Sequence, residues 1–201
     1  MSTRTFLIAD THFGHAGMVT FTRDDGTKLR PFATIEEHDR ELVERWNTTV
    51  RPQDKVYVLG DVVMHHRHLD KVKACNGDKV LVKGNHDQSK VSQYLAVFRD
   101  IRAYWQLGGC LLSHIPIHPE SLSRWKANIH GHLHYRQVML APCKGCEWGW
   151  ELKDDRNHYR PEHGGYWISC TRDFRYICVS AEHTDYRPIS LEAVLAQVPK
   201  L

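Results

Sequence analysis

Apolar residues along this chain come in short runs that stop abruptly at polar ones: TFLIAD (5–10), KVYVLGD (55–61), DKVLVKGNHD (78–87), CLLSH (110–114) and ANIHGH (127–132). Near-continuous runs of this length predict strands buried on both faces. RYICVSA (175–181) reads as a returning strand of the same kind. Between the first two runs, TIEEHDRELVERWNTTV (34–50) changes period: Ile35, Leu42, Val43, Trp46 and Val50 fall on one helical face. Thr34 and Glu37 stand where a capping box needs them. Further helices are predicted over about 65–75, 90–98 and 190–198, the last opened by Ser190. Strands alternating with helices predict an α/β fold with the sheet inside and the helices outside.

At 201 residues the chain is long enough for one well-covered core and too short for two ordinary domains, so a single domain is expected over 1–201. The stretch 141–170, APCKGCEWGWELKDDRNHYRPEHGGYWISC, breaks the pattern. It is rich in Trp, Gly and charge, shows neither period, and reads as a loop or small subdomain inserted before the returning strand. A net charge of +3 suits an anionic substrate but falls short of the basic excess of a dedicated nucleic-acid binder. No run approaches the roughly 18 apolar residues of a membrane span, and FLIA near the start is too short for a signal-peptide core. A cytoplasmic protein with no membrane partner is expected, its six cysteines reduced unless a metal holds them.

Histidine, present 15 times, changes the picture. Imidazole is the commonest metal ligand, and many of these rings fall where the apolar runs end. The first run delivers Asp10 and His12, the second Asp61, the third Asn85 and His86, the fourth His114, and the fifth His132 and His134. In α/β sheets, functional groups gather beyond the carboxyl ends of strands, where residues far apart in sequence converge. A mixed nitrogen and oxygen donor set suits manganese, iron, zinc or cobalt, and two such ions could share a carboxylate. Gly60, Gly84 and Gly131 adjoin these candidates, where a missing Cβ permits a sharp turn or a close approach. His130, alternating with His132 and His134, is read as a core histidine on the strand, and His65, His66 and His68 as solvated.

The ordered set DTH (10–12), GD (60–61), GNHD (84–87), His114 and GHLH (131–134) resembles the calcineurin-like metallophosphoesterase family. The match covers roughly residues 5–135 plus the closing strand, and DTHFGH and SHIPIHP resemble a compact bacterial and phage-type branch without a cap domain. The resemblance implies a four-layer αββα sandwich with a two-metal site at the edge of the central sheets. Carried over residue by residue, Asp10, His12, Asp61 and His134 would hold one ion. Asp61, Asn85, His114 and His132 would hold the other, Asp61 bridging the pair. A metal-bridging hydroxide would then attack phosphorus, with Asp61 and His86 the catalytic residues and His86 the proton donor to the leaving group. The implied cofactors are two divalent ions, manganese first, with iron, zinc, nickel or cobalt as alternatives. The implied partner is a phosphodiester substrate of nucleotide or nucleic-acid type, bound with help from Asn85 and His86; His15, in THFGH, could reach the phosphate from the first loop or be a surface or structural histidine. A phosphomonoester is the second reading, and a non-catalytic metal-binding or protein-interaction scaffold the third.

Many relatives in that family carry an acidic residue shortly after GD that orients the catalytic histidine. Here the run GDVVMHHRH puts Met64 at that place, which speaks against a Ser/Thr protein phosphatase. Within the insertion, Cys143 and Cys146 form a CxxC that His158, His163 or Cys170 could complete as a structural zinc site. A plain reduced loop and redox chemistry are the alternatives. Trp148, Trp150, Tyr159, Tyr166 and Trp167, interleaved with basic residues, could stack bases or pack as the core of the insertion or a protein contact.

Overall fold

In the computed structural model, which describes residues 2–139, 158–160, 166–168 and 172–199, the apolar runs become the central strands of two sheets. In the first, β1 (Thr5–Ile8), β2 (Lys55–Val58), β3 (Asp78–Val82) and β4 (Asp100–Arg102) pair in parallel in that order. β11 (Ile189–Ser190) closes the free edge of β1 in the antiparallel sense. In the second, β7 (Asn128–His130) lies between β6 (Cys110–Leu112) and β10 (Tyr176–Cys178), parallel to both. β5 (Trp105–Leu107) pairs antiparallel with β6.

The runs lack alternation because both faces of the first sheet are covered. Leu7, Tyr57 and Val80 point at the second sheet and meet Cys110, Leu112, Ile129 and Ile177 there. Phe6, Ile8, Val56, Val58 and Leu81 point the other way, into a core shared with α1 (Ile35–Thr49), α2 (Leu69–Ala74) and α3 (Val91–Tyr94). Leu42 and Trp46 are the buried anchors of α1, each contributing about 1.5–3 kcal/mol by leaving water. Thr34 caps α1 by accepting the Glu37 N–H at 3.2 Å, while the Glu37 carboxylate reaches back to the Ala33 N–H at 2.7 Å.

Helix α3 stops earlier than the sequence pattern predicts. The Val97 and Phe98 N–H groups both return to the Tyr94 carbonyl, a tight turn that carries Phe98 into the core. The edge strands β4, β5 and β11 were not predicted, since each is short and only partly buried. On the far face of the second sheet, Asn128 accepts the Ile117 N–H at 3.0 Å and Tyr176 donates to the Ile117 carbonyl at 2.8 Å. The chain leading into the 3-10 helix Pro119–Arg124 therefore runs over that face. α4 (Leu191–Leu195), capped by Ser190, buries Val194 in the core between the sheets. The result is a mixed α/β fold of two mostly parallel sheets flanked by helices.

The described segments ending at Met139 and beginning at Arg172 lie side by side. Met139 pairs with Arg172 in an antiparallel bridge, and the Asp173 N–H donates to the Val138 carbonyl at 2.9 Å. Within 141–170, β8 (His158–Arg160) and β9 (Tyr166–Ile168) pair in the antiparallel sense, which the sequence pattern does not signal. Cys143 and Cys146, with the zinc, reduced-loop and redox alternatives, lie outside the described residues, as do Trp148 and Trp150. No helix among the described residues is long and apolar enough to cross a membrane.

Candidate metal centre

The turns that leave β1 and β2 run side by side. Asp10 N–H donates to the Gly60 carbonyl at 3.0 Å, His12 to Asp61 at 3.0 Å and Phe13 to Val62 at 2.9 Å. The Asp87 carboxylate clamps the next turn onto them, accepting the N–H groups of Asp61 (2.8 Å), Val62 (2.9 Å) and Gly84 (2.8 Å). Asp87 thus holds backbone rather than the His86 ring. Of the three glycines expected here, Gly60 takes a positive φ of 82°, and a Cβ on it would lie 2.6 Å from the Gly84 Cα. Gly84 and Gly131 serve approach instead: a Cβ would strike the Asp61 carboxylate at the first and lie 2.5 Å from Asp10 Oδ2 at the second.

These turns assemble two groups of donors, Asp10 with His12 and His134, and Asp61 with His114 and His132. Within each group, one ligand atom per residue lies within 4.8 Å of the others. Asn85 completes the second group, its Oδ1 lying 2.9 Å from His114 Nε2 and 3.0 Å from His132 Nδ1. Asp61 Oδ2 faces both groups, 3.3 Å from His114 Nε2 and 3.8 Å from His12 Nε2. Five of these residues hold a left-handed backbone: Asp10 (φ 56°), His12 (47°), Asp61 (53°), His132 (70°) and His134 (52°). Such a conformation costs a non-glycine residue about 1–3 kcal/mol and clusters at functional sites.

The first group is short of positive charge. Burial pushes the Asp10 carboxyl up to about 6, against the pull of His134, His114 and the Ser180 hydroxyl. Burial and the neighbouring Arg30 hold the His12 imidazole neutral. Asp10 Oδ1 and both His12 nitrogens are buried without hydrogen-bond partners, and Asp10 Oδ1 stands 3.9 Å from His12 Nε2. An unpaired buried polar group costs about 1–3 kcal/mol. A carboxylate oxygen and an imidazole lone pair left bare and facing one another are what a divalent cation would satisfy. The residues fit a metal.

In the second group, burial opposes charge on both Asp61 and His114, but their contact prevails. The Asp61 carboxyl is held down at about 2 and the His114 imidazole is raised to about 9. His114 Nδ1 donates to the Leu59 carbonyl at 2.8 Å, which turns Nε2 toward Asn85 and Asp61.

His86 stands outside both groups, at the open rim. Its N–H donates to Asp61 Oδ1 at 2.8 Å, while its half-exposed ring sits edge-on to His12 with Nε2 4.0 Å from Asp61 Oδ2. The His15 ring lies 5.6 Å from that of His12. His130 is buried on β7, donates from Nδ1 to the Gly131 carbonyl at 2.7 Å, and belongs to neither group. Met64 is exposed. Sequence reasoning missed three supporting residues. Ser180 donates to Asp10 Oδ2 at 2.6 Å, Glu182 meets His134, and Arg30 meets Glu182. Ser180 stands at the polar end of the run 175–181 and Glu182 directly follows it, so the strand-end rule applied to that run would have found both.

No family model matches the chain. It is 26% identical over 201 residues to the uncharacterized protein MJ1445 of Methanocaldococcus jannaschii, spanning 98% of this chain and 92% of that protein. It is 27% identical over 172 residues to the Gene 66 protein of Mycobacterium phage L5, spanning 67% of this chain and 79% of that protein. The crystal structure of the protein of unknown function AQ665 from Aquifex aeolicus superposes with a TM-score of 0.59 at 23% identity. That match covers 97% of this chain and 99% of the other, and likens the fold alone.

Proposed function

We propose that the protein is a two-metal-dependent phosphoesterase hydrolysing a phosphodiester of nucleotide or nucleic-acid type. The observation that carries this reading is the single Asp61 oxygen lying 3.3 Å from His114 Nε2 and 3.8 Å from His12 Nε2, a carboxylate common to two donor groups. Two divalent ions about 3.5–4 Å apart supply a nucleophile from water near neutral pH and polarise the phosphoryl oxygens. Asp10, His12, His134 and Asp61 would hold one ion, and Asp61, Asn85, His114 and His132 the other, manganese being the first to try. The reading takes the two packed sheets as the centre of a four-layer αββα sandwich.

His86, on the rim and free of both groups, donates a proton to the departing oxygen, a contribution of about 10²–10⁴-fold for a positioned acid. His15 and Asn85 help to hold the phosphoryl group. Phe21, 48% exposed and edge-on to His15 at 5.7 Å, offers a flat surface to a base next to the phosphate.

The test is protein stripped by chelator, reloaded with Mn²⁺, and assayed on bis-p-nitrophenyl and mono-p-nitrophenyl phosphate. Metal-dependent cleavage of the diester in preference to the monoester is expected. Preference for the monoester would select the second reading, and bound ions with neither activity would overturn the enzyme in favour of a scaffold.

A further inference from the structure

We infer that Glu182, backed by Arg30, is the positioning residue that sets how His134 meets the cation of the Asp10–His12 group, an inference that rests on reading that group as a metal site. Glu182 lies in the 3-10 helix Ala181–His183, just beyond β10. Its side chain is wholly buried, and its Oε1 lies 3.0 Å from His134 Nδ1 and 2.8 Å from Arg30 Nε. A carboxylate at that distance keeps the imidazole proton on Nδ1, which leaves the Nε2 lone pair free for a metal.

Arg30 ties the same carboxylate to the other ligands. Its side chain is also wholly buried. Nη1 meets the Thr11 carbonyl at 3.1 Å and His38 Nε2 at 2.6 Å, and Nη2 donates to the Asp10 carbonyl. His38 in turn meets Asp39, whose carboxylate accepts the Gly14 N–H at 3.0 Å. One ion pair thus grips the left-handed turn that carries Asp10 and His12 with its guanidinium, and His134 with its carboxylate.

A buried ion pair by itself is weak grounds for a role, since apolar replacements are often neutral. The use made of this one sets it apart: besides His38, its outward contacts go to the ligand turn and to a ligand ring. In the second group, His114 leans on the Leu59 backbone carbonyl instead of on a carboxylate backed by a guanidinium. The pair should therefore govern one ion and not the other.

The test uses Co²⁺ as the probe, titrated into chelator-stripped protein and followed by calorimetry and visible absorption. Wild type should bind two ions. Glu182→Gln should weaken one of them about 10–100-fold and leave the other nearly unchanged. Glu182→Asp, which keeps a charge for Arg30 but withdraws it from His134, should do the same at less cost to the melting temperature. Both ions weakened alike, or neither, would refute the positioning role. Nitrogen-15 NMR of the wild type adds a readout that needs no variant: the metal-free His134 ring should carry its proton on Nδ1, and a proton on Nε2 alone would also refute it. Wild type that bound no Co²⁺ would instead sink the metal reading itself, whatever the variants did.

Discussion

Replacing Asp10 by Asn should stabilise the metal-free protein while destroying its response to metal. Burial raises the Asp10 carboxyl to about 6 from an ordinary 3.8, so its ionisation costs the folded metal-free chain about 3 kcal/mol at pH 7.5. The sign follows from proton binding. Between these two values the folded state holds the proton more tightly, so stability is full below about pH 4 and declines as pH rises through 6. Asn fits the same place. Its oxygen can accept the His132 N–H (2.9 Å) and the Ser180 hydroxyl (2.6 Å) as Oδ2 does, and its NH₂ replaces the unpartnered Oδ1. In chelator at pH 7.5, Asp10→Asn should melt about 5–10 °C above wild type, and near pH 4.5 the gap should shrink to about a third. With saturating Mn²⁺ the order should reverse, because only wild type gains the full free energy of binding. Scanning calorimetry at the two pH values, with and without metal, measures all three. A variant no more stable than wild type in chelator at pH 7.5, or a gap that did not narrow in acid, would refute the charge argument.

Asp87→Ala should leave the Asp61, Val62 and Gly84 N–H groups without their acceptor, costing at least about 3 kcal/mol in urea unfolding and weakening metal binding with it. Gly84→Ala should cost about 1–3 kcal/mol and displace Asp61, read as loss of bound metal by elemental analysis. His86→Ala should cut turnover of a diester with a poor leaving group about 10²–10⁴-fold with metal content nearly intact, and equal loss of metal would make His86 a ligand. His130→Asn should leave metal stoichiometry unchanged, since that ring lies in neither donor group.

Much of the site was legible along the chain. A strand covered on both faces must be apolar throughout, so its end is marked by the first polar residue, and Asp10, Asp61, Asn85, His114 and His132 all follow such ends. His130 is a core histidine for a related reason: alternation along β7 turns it to the opposite face from Ile129. Helix α1 was legible because period, cap and length agreed, whereas α3 was overextended because 95–98 keeps the apolar spacing while its backbone turns inward at Tyr94.

The amino-acid order alone decided which residues would stand at strand ends, because burial on both faces is a local, periodic signal. Only the tertiary structure decided which of those ends meet and what holds them there. Arg30 and Glu182 are 152 residues apart, and Ser180 and Asp10 170 apart, so no local pattern records either contact. Left-handed turns at Asp10, His12, Asp61, His132 and His134 are likewise not marked by residue type, since Asp and His tolerate such a backbone better than most side chains yet adopt it only where the surrounding hydrogen bonds hold it.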